Sequence, residues 1–208
     1  MKSGLEEILA FINKAEKLKL EMRHSWLSNN RQESVAEHSW RMSLMAILLK
    51  DKLKVKVDIA RVLKMIIIHD LVEIEAGDVS ALDILRDPSI KQAKQQNEIL
   101  AIENIKEELG DDLGNEIYEL WHEFEDKETQ ESRFANALDK LEVQIQHNHA
   151  SLETWEEIEF RMVYMMDQHV SFDEKLTEFK NLVVSQAEHK MKKNNISPDK
   201  YRSEVEKN

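Results

Sequence analysis

The stretch DIARVLKMIIIHDLVEIEAGD, residues 58–78, decides the fold. Asp58 is an N-capping residue type, Ile59, Val62, Leu63, Ile66 and Ile67 recur at helical spacing, and Gly77 is a C-terminal stop. The segment therefore reads as one helix from residue 59 into His69-Asp70, stopping near Gly77. The rest of the chain reads the same way. A capping box of Ser3 and Glu6 opens a first helix with the stripe Leu5, Ile8, Leu9 and Ile12. Residues 20–33 lose periodicity and read as an irregular connection. Ser34 and Glu37 form a second capping box, opening a helix to about Leu53. After Pro88 a polar helix carrying Ile99, Ile102 and Ile105 runs to Gly110. Helices follow over 113–124, over 129–147 with Phe134, Leu138, Leu141 and Ile145, over 152–167, and from a Ser171/Glu174 box to Met191. Residues 192–208 read as a charged, loose tail. With four Gly and two Pro in 208 residues and no alternating segment of strand length, the expectation is an all-α single domain over residues 1–191, a helical bundle with extra C-terminal helices.

Composition narrows the function. Lys plus Arg, 29, against Asp plus Glu, 41, leaves a net charge of −12, which disfavours a nucleic-acid polymer as partner because such binding depends on releasing condensed counterions. The absence of cysteine removes disulfides, thiolate metal sites and cysteine nucleophiles, and points to a reducing compartment. Hydrophobic residues at 41% are too many for a disordered chain, while the longest apolar runs, Leu44 to Leu49 and Met65 to Ile68, are far shorter than the roughly 20 residues of a membrane span. The first twenty residues are charged throughout and carry no secretory signal pattern. A soluble protein with no membrane partner is expected.

Polar residues on apolar stripes carry the chemistry. His38 shares a face with Met42, Met45 and Leu49; His69 continues the stripe of Val62 and Ile66, and Asp70 that of Leu63 and Ile67. Asp139 lies beside the stripe of Leu138 and Leu141. Buried groups of this kind need partners, and a divalent metal would satisfy two imidazoles and two carboxylates at once. At about 100° per residue, Glu73 falls between His69 and Asp70 and one turn on, the place for a general acid or base. Asp78 can swing into the same cleft. From spacing alone, a metal site and a hydrogen-bonded core cluster stand level. The remaining histidines, His24, His122, His147, His149, His169 and His189, fit no spaced metal motif and read mostly as surface residues or caps.

The order ESVAEHSWR at 33–41, HDLVE at 69–73, GD at 77–78, ELW at 119–121 and LDKLE at 138–142 resembles the HD-domain superfamily of metal-dependent phosphohydrolases, most closely its 5'-deoxynucleotidase group, over about residues 5–150. The resemblance implies one divalent ion, whether Mn, Co, Fe, Ni, Zn or Mg, held by His38, His69, Asp70 and Asp139. It implies Glu73 and Asp78 as catalytic acids, Arg23 and Trp26 as phosphate and sugar contacts, a nucleotide substrate and a homodimer, with exposed parts of the helices after residue 89 as possible contacts. Arg31, Arg41 and Lys140 are further cations near the ligand positions, able to bind phosphate oxygens. The expected reaction is hydrolysis of 5'-deoxynucleoside monophosphates to deoxynucleoside and phosphate in the cytoplasm.

Rival readings follow from the same residues. Alarmone hydrolases of the superfamily show a further acid after the Glu, where Ile74 stands here, and cyclic-dinucleotide phosphodiesterases need extra histidines where this chain offers only His122 between Asp70 and Asp139. A triphosphate substrate stays open. A non-catalytic helical interaction module is the rival of a different class, and it predicts no bound metal.

Overall fold

The structure, a computed structural model, describes residues 4–207. Helices α1 (Gly4–Lys14), α2 (Val35–Leu49), α3 (Ile59–Ile68), α4 (Glu73–Ala76), α5 (Ala81–Arg86), α6 (Ile90–Leu109), α7 (Asp111–Asp126), α8 (Gln130–His149), α9 (Glu157–Met162), α10 (Asp167–Val170), α11 (Glu174–Lys193) and α12 (Pro198–Val205) surround one main core. Among the described residues the protein is all-α apart from one small hairpin. Helix α8 is central, packed by α2, α3, α7, α10 and α11, and its Phe134, Leu138 and Leu141 are fully buried. Ser34 closes the expected capping box with Glu37, and Asp58 caps α3 through the amides of Ala60 and Arg61. Ser3 lies outside the described residues. The α1 stripe is not buried: Leu5, Leu9 and Ile12 are more than half exposed and only Phe11 enters the core. Gly114 lets α6 and α7 pack closely, since a Cβ there would stand 2.2 Å from the Lys106 carbonyl oxygen.

Four expectations are corrected. Residues 20–33 hold an antiparallel hairpin, β1 (Met22–Trp26) against β2 (Gln32–Ser34), whose turn places Asn30 at φ 63°. It carried no alternating pattern because Arg23, His24 and Ser25 are polar residues that line a cavity. The helix ending at Gly77 is broken: after Ile68 the chain tightens into i to i+3 hydrogen bonds, Leu71 N to Ile68 O at 2.9 Å and Glu73 N to Asp70 O at 3.1 Å. Residues 152–167 divide into a 3-10 turn at Leu152–Thr154 and α9. Residues 192–207 are not a loose tail, because Tyr201 of α12 is 5% exposed and stacks on Phe160 with ring centroids 5.0 Å apart, and Asn208 lies outside the described residues. One aromatic anchor supplied the apolar area that the charged composition concealed.

Asp173, not Ser171, caps α11. Its Oδ1 accepts from the amides of Lys175 at 2.8 Å and Leu176 at 3.3 Å, and its Oδ2 from Lys54 at 2.6 Å and Val55 at 3.1 Å. The carboxylate thus staples the loop after α2 to the start of α11. Burial pushes its pKa up, but four backbone donors outweigh that and hold it below the ordinary carboxylate value. A depressed folded-state pKa contributes stability above the unfolded pKa and loses it as pH falls through the folded one. Asp173→Ala is expected to cost about 2–3 kcal/mol in urea unfolding at pH 7, shrinking below pH 4; an unchanged midpoint would refute the staple.

Candidate metal centre

Three side chains from separate stretches of the chain meet at one point. His38 comes from α2, His69 from the turn after α3 and Asp139 from α8, all buried, with donor atoms within 4.8 Å of one another. His38 Nε2 lies 3.2 Å from Asp139 Oδ1, and the two imidazole centroids are 5.7 Å apart. Each ring is oriented through its other nitrogen. His38 Nδ1 bonds to the Glu142 carboxylate, and His69 Nδ1 donates to the Ile66 carbonyl at 2.8 Å. The indole N–H of Trp121 donates to the His69 carbonyl at 3.1 Å, and Phe124 packs on the ring at 4.8 Å. Both Nε2 atoms are buried without a hydrogen-bond partner. Donors sharing an ion at roughly 2.1 Å stand about 3–4 Å apart, so these orphaned nitrogens and the facing carboxylate fit a divalent cation.

Asp70 stands beside the three. Its Oδ2 lies 3.1 Å from His69 Nε2 and 3.3 Å from Arg23 Nη1. Burial opposes its ionisation, but His69 and Arg23 overcome that and keep it ionised. Asp139 is likewise held well below the ordinary value: burial raises it, while Lys140, 2.7 Å away, and the two histidines lower it further. Burial and Arg23 push His38 down, yet Glu142 and Asp139 outweigh them and raise it to about 9.

Glu142 and Glu33 are fully buried acids that sequence reasoning passed over. Arg41 reaches both, its Nε 3.0 Å from Glu142 and its Nη2 3.1 Å from Glu33, and also bonds Gln146. This cation therefore braces the His38 side of the centre rather than facing substrate. The available signal was the spacing of Asp139 and Glu142, three apart on one helix face. Arg31 is also diverted, to Glu37 on the surface.

A cavity of about 410 Å³ opens on the centre, lined among others by Arg23, His69, Asp70, Glu73, Asp78, Lys94, Asp139 and Lys140. Glu73 is 6% exposed with Oε2 unpartnered. The tightened turn before α4 leaves it lining the cavity. Burial, then Asp70 and Asp78, push its carboxyl up to about 10. Asp78 is raised too, chiefly by burial. It is aimed by Gly77, at φ 73°, and by its amide's bond to Glu21 at 3.0 Å. Trp26 does not line the cavity; its carbonyl accepts from Gln146 of α8. His147, one of the histidines read mostly as surface residues or caps, is buried on α8.

The model of the family described as HD domain matches residues 15–180. Human 5'-deoxynucleotidase HDDC2 is 32% identical over 145 residues, 69% of this chain and 68% of its own length. The Dictyostelium discoideum 5'-deoxynucleotidase HDDC2 is 32% identical over 149 residues, covering 68% of this chain and 76% of its own. The crystal structure of a predicted metal-dependent phosphohydrolase from Magnetospirillum magnetotacticum MS-1 superposes with a TM-score of 0.79 at 30% identity, over 95% of this chain and all of that one.

Proposed function

The chain belongs to the HD domain family, and from that premise we propose that it is a divalent-metal-dependent phosphohydrolase that converts 5'-deoxynucleoside monophosphates to deoxynucleosides and phosphate. The observation that carries the reading is the pair of buried, partnerless imidazole nitrogens facing Asp139 at the wall of a cavity that Arg23 and Lys140 also line. The 5'-deoxynucleotidase relatives at 32% identity support the substrate class.

One divalent ion held by His38, His69, Asp70 and Asp139 would polarise a phosphoryl oxygen and make water more acidic. Arg23 and Lys140 offer N–H donors to the remaining phosphate oxygens, offsetting the chain's net charge where it matters. Glu73, whose carboxyl is raised by burial and by the neighbouring acids Asp70 and Asp78, gives a proton to the 5' oxygen as the phosphorus–oxygen bond breaks. Asp78, on the same wall, accepts a proton from the attacking water.

A homodimer is part of the same reading. Supporting it are apolar side chains exposed at Trp40, Leu44, Ile47 and Leu48 on one face of α2, and the α1 stripe, more than the helices after residue 89. No helix of the described residues is long and apolar enough to cross a membrane, and a cytoplasmic location belongs with the nucleotide substrate. The test is phosphate release from 5'-deoxymononucleotides and their ribo counterparts in a metal titration. Metal-dependent release favouring the deoxy series is expected, and full activity in chelator would sink the proposal.

A further inference from the structure

Arg23 stands between two acids. Its Nη1 lies 3.3 Å from Asp70 Oδ2 on the cavity side, and its Nε lies 4.0 Å from Glu33 Oε2. The hairpin creates the second approach. Met22 of β1 pairs with Ser34 of β2, so Arg23 and Glu33, one residue further in on each strand, are cross-strand neighbours with side chains on one face. Glu33 is fully buried, and its Oε1 is taken by Arg41 Nη2 at 3.1 Å. Its Oε2 and the Arg23 Nε are both buried without a hydrogen-bond partner. At 4.0 Å they are too far apart to serve each other.

A donor and an acceptor roughly 1 Å beyond hydrogen-bond reach are costly while they stay apart, since each has lost water and gained nothing. Asp70 draws the guanidinium the other way, toward the cavity that Arg23 lines. We infer that Glu33 is the positioning residue for Arg23. When a phosphate group enters and competes with Asp70 for the terminal N–H groups, the guanidinium settles back and its Nε–H donates to Glu33 Oε2. The terminal nitrogens are then left aimed into the cavity as a fixed fork. Arginine suits this double duty because its five N–H donors lie on separate edges of one rigid plane. A long side chain loses rotamer freedom when it grips a ligand, and a buried acid that fixes one edge removes part of that cost in advance. The inference rests on the phosphohydrolase reading of the cavity and adds to it the residue that orients its phosphate-binding cation.

Nitrogen–proton correlation NMR of the arginine side chains reads the Nε–H directly, in protein loaded with Zn, a diamagnetic ion suited to imidazole and carboxylate donors. Titrating the wild type with inorganic phosphate is expected to move the Arg23 Nε–H proton downfield, the signature of a new hydrogen bond to a carboxylate; the signal is identified by its absence in Arg23→Lys. Glu33→Gln has the same shape and keeps one oxygen for Arg41, but it turns an amide N–H toward Arg23. The shift should disappear, and phosphate affinity by calorimetry should fall about tenfold, with KM for 5'-deoxymononucleotides rising by a similar factor and kcat little changed. In the Arg23→Lys background, which has no Nε–H edge, Glu33→Gln should weaken phosphate binding no further; losses that multiply would show that Glu33 acts elsewhere and overturn the inference. No downfield shift in the wild type, which needs no variant to fold, or the same shift in Glu33→Gln, would also overturn it. The shift without metal-dependent phosphate release from nucleotides would instead overturn the phosphohydrolase reading alone, and release without the shift would overturn the role of Glu33 alone.

Discussion

Replacing Asp139 with alanine is expected to abolish stoichiometric metal binding and lower kcat/KM by about a thousandfold or more, the scale of several kcal/mol that a bound ion contributes to charge stabilisation. Asp139 brings the negative charge that faces both orphaned Nε2 atoms, and its partner Lys140 is left unpaired when it goes. The variant should remain folded, because the neighbouring Leu138 and Leu141, both fully buried, carry the α8 contribution to the core. Elemental analysis after dialysis, with circular dichroism as the folding control, checks this. A folded Asp139→Ala protein that retains one equivalent of metal would show that the ligands lie elsewhere. The same measurement on Asp70→Ala separates a ligand from a neighbour: Asp70 stands outside the group of three, tied to Arg23 and His69, so retention of the ion there would mark it as a bracing residue.

Glu73→Gln should move activity and stability in opposite directions. A lost general acid lowers kcat by about 10²–10⁴ with KM little changed. In the metal-free protein, however, the carboxyl is raised to about 10, above its unfolded value, so the folded state holds a proton that the unfolded state has released. Stability then falls as pH rises from the unfolded pKa toward the folded one. The neutral amide removes that penalty. The chelated variant should therefore melt a few degrees higher than wild type at pH 8, and the gain should vanish near pH 4, on the scale of ~2–4 °C per kcal/mol for a chain of this size. Full turnover in the variant would remove Glu73 from the mechanism, and a lower melting temperature at pH 8 would contradict its burial as a strained acid.

Most of the helices were legible because they obey local rules. Ser34 and Asp58 cap where their side chains can reach amides, and His38 sits on the Met42–Met45 face that turns inward. The order of His38, His69-Asp70 and Asp139 along the chain pointed to a metal only through its resemblance to the HD-domain superfamily, since spacing alone left a hydrogen-bonded core cluster level with it. What local rules missed shares a cause. The β1–β2 hairpin, the cap at Asp173, the Tyr201 anchor and the buried His147 each depend on a partner distant in sequence: β1 on α8, Asp173 on Lys54 and Val55, Tyr201 on Phe160, His147 on Glu159.

The sequence by itself determined an all-α protein, because periodicity and capping act over a few residues, and its resemblance to a metal-dependent family singled out the histidines and aspartates to look for. Only the tertiary structure decided that Glu142, Glu33 and Arg41 brace the centre from behind and that Glu73 reaches the cavity through a tightened turn. Side chains more than a hundred residues apart acquire their charge state and direction from burial against one another, and that environment exists only once the chain has closed around them.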